Sequence, residues 1–223
     1  MFPYMSRSIQ TSLRLAIFDF DGTLCEVNSY HVFLWWSVKK FRIRGFLILI
    51  GLVLRKLRVI SRPSLMRLAL RILRGKTRAD VEAIGKELYE SALKPYITQA
   101  GLLEIGAKRD EGYTILILSG AFDFLLGPFC ADQDIDLWHS TRLSYELDRC
   151  TGFLEGPEHL AAAKSFYIQE LFKGTEIDWQ GSSVYSDELS DLPLFSLVGN
   201  KYFIVHEGKK PPVLPSDFKL LMW

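Results

Sequence analysis

A short apolar run that ends abruptly in two carboxylates constrains this chain more than any other feature. Leu13–Phe18, apolar apart from Arg14, reads as a buried strand that runs directly into Asp19-Phe20-Asp21-Gly22-Thr23-Leu24. In an open α/β sheet, ligands bind outside the carboxyl ends of the strands. Gly22 permits a sharp turn there. One carboxylate then faces the crevice and the other lies beside it. Two acids so close resist joint ionisation unless a cation shares the site. The pattern reads as an Asp nucleophile, Asp19, and an Asp acid/base, Asp21, arranged around Mg²⁺.

Further apolar strands are predicted at Tyr113–Leu118, which runs into Ser119-Gly120-Ala121, at Ile135–His139, at Ser183–Ser186 and at Tyr202–Val205. Helical patterns separate them, at Ile97–Arg109 before Gly112, at Phe122–Cys130 and at Glu158–Phe172, which carries Lys164. Arg142–Phe153 reads as two short extended pieces around Asp148-Arg149. Strands alternating with helices imply an α/β fold with a doubly wound parallel sheet.

An all-helical segment interrupts that sheet after its first strand. The expected organisation is a core of residues 12–26 and 95–210, a helical cap of 27–94, and a weakly ordered tail of 211–223 rich in Pro and Lys. Between Val27 and Ala79 stand thirteen Lys and Arg and no Asp or Glu, so a cationic segment is spliced into an otherwise acidic chain. Arg55, Arg58 and Arg62, then Arg67, Arg71, Arg74 and Arg78, recur at helical spacing and are expected as stripes. Two readings stay open: a solvated lid, or a face that sits on anionic lipid. The longest uncharged run, Gly45–Leu54, is ten residues, too short for a membrane span of about 20. Trp35 and Trp36 suit either interface anchors or packed core.

The opening residues MFPYMSRSIQTS have no apolar run of the signal-peptide kind. Three scattered cysteines, Cys25, Cys130 and Cys150, without a CxxC pair, read as reduced thiols. A cytoplasmic protein is expected, with a peripheral place at the inner face of the membrane as the further option. His31, His139, His159 and His206 lack the spacing of a zinc site and are read as structural or surface residues.

Asp19-Phe20-Asp21-Gly22-Thr23-Leu24, directly after a hydrophobic strand, resembles the first motif of the haloacid dehalogenase (HAD) superfamily of phosphohydrolases. The resemblance extends over residues 13–26 and 95–206, and implies a HAD-like Rossmannoid core. Ser119 resembles the second motif, a hydroxyl that holds a phosphoryl oxygen, although a Ser at a strand end is also a common turn residue. The Gly120 N–H adds a donor, and Thr23 is expected on the phosphate. Lys164, between Ser119 and Asp187, matches the third motif and would neutralise Asp19 and the phosphoryl oxygens. Ser186-Asp187-Glu188-Leu189-Ser190-Asp191 resembles the fourth, in which Asp187 ligates Mg²⁺ and Asp191 supports the site or orients Lys164. On its own, Asp187 is equally a helix N-cap. The implied ion is held by Asp19, the main-chain carbonyl of Asp21 and Asp187.

The implied reaction is phosphomonoester hydrolysis through an aspartyl-phosphate. Asp19 attacks phosphorus, Asp21 protonates the leaving oxygen, and main-chain N–H groups near Phe20 and Asp21 hold a phosphate oxygen. The helical lid and SDxxxDLPL are similar to the phosphoserine-phosphatase-like branch. The basic, apolar cap is similar to that of bacterial phosphatidylglycerophosphate phosphatases. Asn28 stands where phosphoserine phosphatases carry an amine-reading glutamate, which argues against phosphoserine. The expected partner is a phosphorylated small molecule or lipid headgroup, with a possible anionic membrane surface and no nucleic acid. The alternatives are a soluble metabolite phosphatase, and a non-catalytic lipid- or RNA-binding protein.

Overall fold

The computed structural model describes residues 12–156 and 161–223, so the lead-in and the start of the helix expected from Glu158, with His159, lie outside the described residues. Strand β1 (Leu15–Phe18) is buried at every position. It sits centrally in a parallel six-stranded sheet of order β3-β2-β1-β6-β7-β8. The partners are β2 (Thr114–Phe122), β3 (Trp138–Thr141), β6 (Ser183–Ser186), β7 (Asn200–Val205) and β8 (Phe218–Met222). Both faces of a parallel sheet are covered, so its strands are apolar without alternation. Leu15, Ile17, Leu116, Leu118 and Val184 pack on one side. Ala16, Phe18, Ile115, Ile117 and Tyr185 pack on the other. Across that second face Phe18, Tyr185 and Tyr202 stack with centroids 4.3 and 4.6 Å apart, tying β1, β6 and β7 together beneath the site.

After β1 the chain enters the helical segment, comprising α1 (Ser29–Lys40), α2 (Arg42–Lys56), α3 (Arg62–Leu70) and α4 (Arg78–Leu88). Asn28, Ser61 and Thr77 cap three of these helices, and Thr77 with Asp80 forms a capping box. Phe33, Leu34, Ile48, Leu70 and Leu88 join the same apolar cluster as the Phe18 face of the sheet. The segment therefore packs on the core rather than standing apart. Gly85 lets α4 approach α6 (Asp123–Asp132): a Cβ there would lie 1.8 Å from the Phe124 carbonyl oxygen. No described helix is long and apolar enough to cross a membrane.

The remaining helices are α5 (Gln99–Asp110), α7 (Ala161–Leu171) and the short α8 (Leu192–Phe195). Strands β4 (Leu143–Glu146) and β5 (Arg149–Leu154) form a separate antiparallel hairpin. Leu147 and Asp148 supply the two positive φ angles, 45° and 60°, that a tight two-residue hairpin turn requires.

Three expectations change. The tail is not loose, because Phe218–Met222 adds strand β8 beside β7. Phe218 packs on Phe195, and Trp223 lies in the aromatic row with Tyr185. The arginines do not form two stripes: α2 ends at Lys56, Arg58 has φ 59°, and a new helix starts at Arg62. Ser119 lies within β2 rather than after it, at a register shift between Leu118 and Phe122. Trp35 is exposed, whereas Trp36 is half-buried and its indole N–H donates to Ser91 Oγ (3.2 Å).

Candidate active site

Strands β2, β1 and β6 are neighbours, so the carboxyl ends of β1 and β6 and the register shift in β2 bring Asp19, Asp187 and Ser119 to one edge of the sheet. Asp19 is buried immediately beyond β1, where its Oδ1 accepts the Phe20 N–H (2.7 Å). Its Oδ2 lies 3.0 Å from Lys164 Nζ. Lys164, carried on α7, also reaches Asp191 Oδ2 at 2.9 Å, and Ser186 Oγ donates to that oxygen (2.7 Å). Burial works to lower the Lys164 pKa, but the two carboxylates outweigh it and hold the ammonium well above the usual lysine range. Asp191 is pushed up, by burial first.

Asp19, Asp21, Ser119, Gly120, Lys164 and Asp191 line one cavity of about 550 Å³. The segment after β1 closes it with Tyr30, Arg62 and Met66, and Phe122 and Leu154 add apolar wall. The Asp21 carboxylate accepts the Ser29 N–H (2.8 Å), the Ser29 hydroxyl (3.0 Å) and the Asn28 amide (3.3 Å). Its pKa is raised to about 7, chiefly by burial, against the Ser29 hydrogen bonds and with help from the charges of Asp19 and Asp187. A carboxyl poised near neutrality suits proton donation and return.

Two predicted residues, Thr23 and Asp187, do not line that cavity. Thr23, expected on the phosphate, is fully buried and turned to β6: its hydroxyl donates to Asp187 Oδ1 (3.1 Å) and accepts the Asp187 N–H (3.1 Å). Asp187 itself borders a neighbouring cavity of about 300 Å³ with His206, rather than the one beneath Arg62. Its carboxyl lies against Gly22, whose φ is 79°.

Among the described residues, no three His, Cys, Asp or Glu side chains converge as a ready metal cluster. The donors at this edge are instead the carboxylates of Asp19 and Asp187 with the main chain of Asp21, all hard oxygens. Burial raises Asp187 to about 6, with the charge of Asp19 adding to it. Among the described residues neither Asp21 nor Asp187 has a basic ion-pair partner. Crowded, under-compensated carboxylates of this kind fit a divalent cation.

A model of the haloacid dehalogenase-like hydrolases matches residues 16–196. The chain belongs to that family. Protein CicA of Caulobacter vibrioides is 26% identical over 197 residues, which is 87% of this chain and 87% of CicA. A Bordetella pertussis Tohama I protein of unknown function superposes with TM-score 0.69 at 19% identity, over 87% of this chain and 91% of that one. A phosphoserine phosphatase solved as a phospho-aspartyl intermediate analogue gives TM-score 0.58 at 19% identity, over 86% and 87%. At such identities these structural likenesses show a shared fold.

In this HAD-like hydrolase several site residues carried weak sequence signals. Ser29 follows the Asn28 N-cap, so the start of α1 near the first motif was the clue to the groups that hold Asp21. His206, at the end of β7, has no such clue: its Nε2–H donates to the Gly22 carbonyl (2.7 Å) and pins the turn. Arg62 reaches the cavity only through the packing of α3.

Gly22 gives a direct test of that turn. A Cβ there would lie 2.3 Å from Asp187 Oδ2. Gly22→Ala is expected to cost about 1–2 kcal/mol for the left-handed backbone. Displacing Asp187 should lower turnover by about 10²-fold. Thermal melts and initial rates measure the two effects; a variant with wild-type rates would show that the close approach is dispensable.

Proposed function

We propose that this hydrolase removes phosphate from phosphomonoesters through an aspartyl-phosphate, with Mg²⁺ as cofactor. The observation that carries the reading is the buried bridge from Asp19 through Lys164 to Asp191, beside Ser119 in one cavity. An Asp19 oxygen bonds to phosphorus as the bond to the leaving oxygen breaks, and Asp21 gives that oxygen its proton. Asp21, now ionised, takes a proton from water. The water oxygen bonds to phosphorus, the bond to Asp19 breaks, and inorganic phosphate leaves. Lys164 offsets the charge of Asp19 and of the phosphoryl oxygens, while the Ser119 hydroxyl and Gly120 N–H hold those oxygens. Asp19 and Asp187 with the Asp21 main chain would hold the ion, which supplies positive charge against the transferring group.

An amphiphilic or lipid phosphate, such as phosphatidylglycerophosphate, suits the cavity best. Arg62 offers a second cationic group, while Tyr30, Met66, Phe122 and Leu154 offer apolar wall. One observation favours a small aminated phosphate instead: Glu188 lies in the cavity wall, where an ammonium could pair with it. A phosphate-release screen over phosphatidylglycerophosphate, phosphoserine, sugar phosphates and p-nitrophenyl phosphate separates the readings. Release is expected to vanish with a chelator and return with Mg²⁺. Full turnover in chelator would overturn the cofactor, and no turnover of any monoester would overturn the reaction.

A further inference from the structure

The cap has a surface that the catalytic cavity does not use. In α2, Phe46, Ile50 and Val53, followed by Leu57 just past its end, are 61%, 41%, 51% and 67% exposed. Their spacing puts them on one helix face, as a continuous apolar stripe turned outward. Contiguous exposed apolar patches mark interaction sites. Where the same helix meets α3 and the residues after it, a groove of about 470 Å³ opens, lined by Arg44, Leu47, Leu68, Arg71, Ile72 and Arg74. Among the described residues these three arginines have no acidic partner. Arg44 is braced by donating to the Ile72 carbonyl (3.2 Å). No Asp or Glu occurs between Val27 and Ala79, so nothing in this stretch dilutes the positive field.

We propose that this face docks on an anionic phospholipid bilayer, with the α2 stripe entering the headgroup–acyl boundary and Arg44, Arg71 and Arg74 receiving a lipid phosphate. An interfacial helix needs an apolar face with cations beside it, and α2 at 15 residues is too short to span. RNA would satisfy the arginines but leave the stripe in water. The purpose of the docking, bringing the cavity to its substrate, rests on the amphiphile reading; its geometry rests on the stripe and groove alone.

The test is co-sedimentation of the full chain with phosphatidylcholine vesicles, with and without phosphatidylglycerol, at low salt. The chain is expected to pellet with the anionic vesicles and to be released as salt rises. The double variant Ile50→Asp, Val53→Asp should stay in the supernatant. Arg71→Ala with Arg74→Ala should bind about thirtyfold more weakly, from about 1 kcal/mol per cation. Thermal melts of the variants establish that they fold. Failure of the wild type to pellet, equal pelleting with neutral vesicles, or unchanged binding by both folded variants would overturn the proposal. So would a vesicle-free dimer that Val53→Asp dissociates, which would assign the face to a second copy. Turnover of soluble p-nitrophenyl phosphate by the wild-type chain is a separate readout: it tests the hydrolase reading whatever the vesicles show.

Discussion

Replacing Asp19 with Asn is expected to reduce turnover by about 10⁴-fold or more, the scale on which loss of a catalytic nucleophile is felt, while leaving the protein folded. Asn keeps an oxygen for the Phe20 N–H, which now donates to Asp19 Oδ1 at 2.7 Å. It removes a negative charge that raises both Asp21 and Asp187. Against this, Lys164 loses one of its two carboxylates but keeps Asp191 at 2.9 Å. These effects oppose each other, so the melting temperature should change little. The variant should also fail to accumulate covalent phosphate when quenched during turnover with a labelled monoester. Wild-type rates, or labelled protein from the Asn variant, would refute Asp19 as nucleophile.

The fold was legible because parallel strands declare themselves twice: by unbroken apolar runs, and by what stands at their carboxyl ends. Ala16 and Ile17 have neighbours on both faces of the sheet, so nothing polar was tolerated until Asp19. Once β2, β1 and β6 are adjacent, the meeting of Ser119, Asp19 and Asp187 follows from topology. Side-chain direction does not follow. The sequence places Thr23 beside the acids, yet only the packing of β6 turns its hydroxyl to Asp187. The basic segment shows the same limit. Its arginine spacing runs smoothly through Leu57–Ser61, but Arg58 takes a left-handed conformation that no propensity signals, and the supposed stripe divides between two helices. The edge strand β8 was hidden by its length, with five residues held largely by main-chain pairing to β7.

Lys164→Met should be the most damaging single change for stability, with a large loss of rate beside it. Met fills a similar volume but carries no charge, so Asp19 and Asp191 lose their only ion-pair partner among the described residues. Asp191 is about as buried as a side chain can be, at 1% exposure, and among the described residues its Oδ1 has no hydrogen-bond partner. Its remaining support is the Ser186 hydroxyl, 2.7 Å from Oδ2. Removing one partner of a buried pair leaves an uncompensated charge and costs about 3–5 kcal/mol, far more than the intact pair contributes. Turnover should fall by about 10³-fold, the scale of losing one fixed charge that stabilises the transferring group. The double variant Lys164→Met, Asp191→Asn separates the two effects. Neutralising Asp191 removes the stranded charge, so chemical denaturation should show most of the lost stability restored, while turnover stays low because nothing replaces the ammonium beside Asp19. If stability did not recover, the Asp191 charge would not be the source of the damage. If turnover recovered with it, Lys164 would be a scaffold for Asp191 rather than a participant in the chemistry.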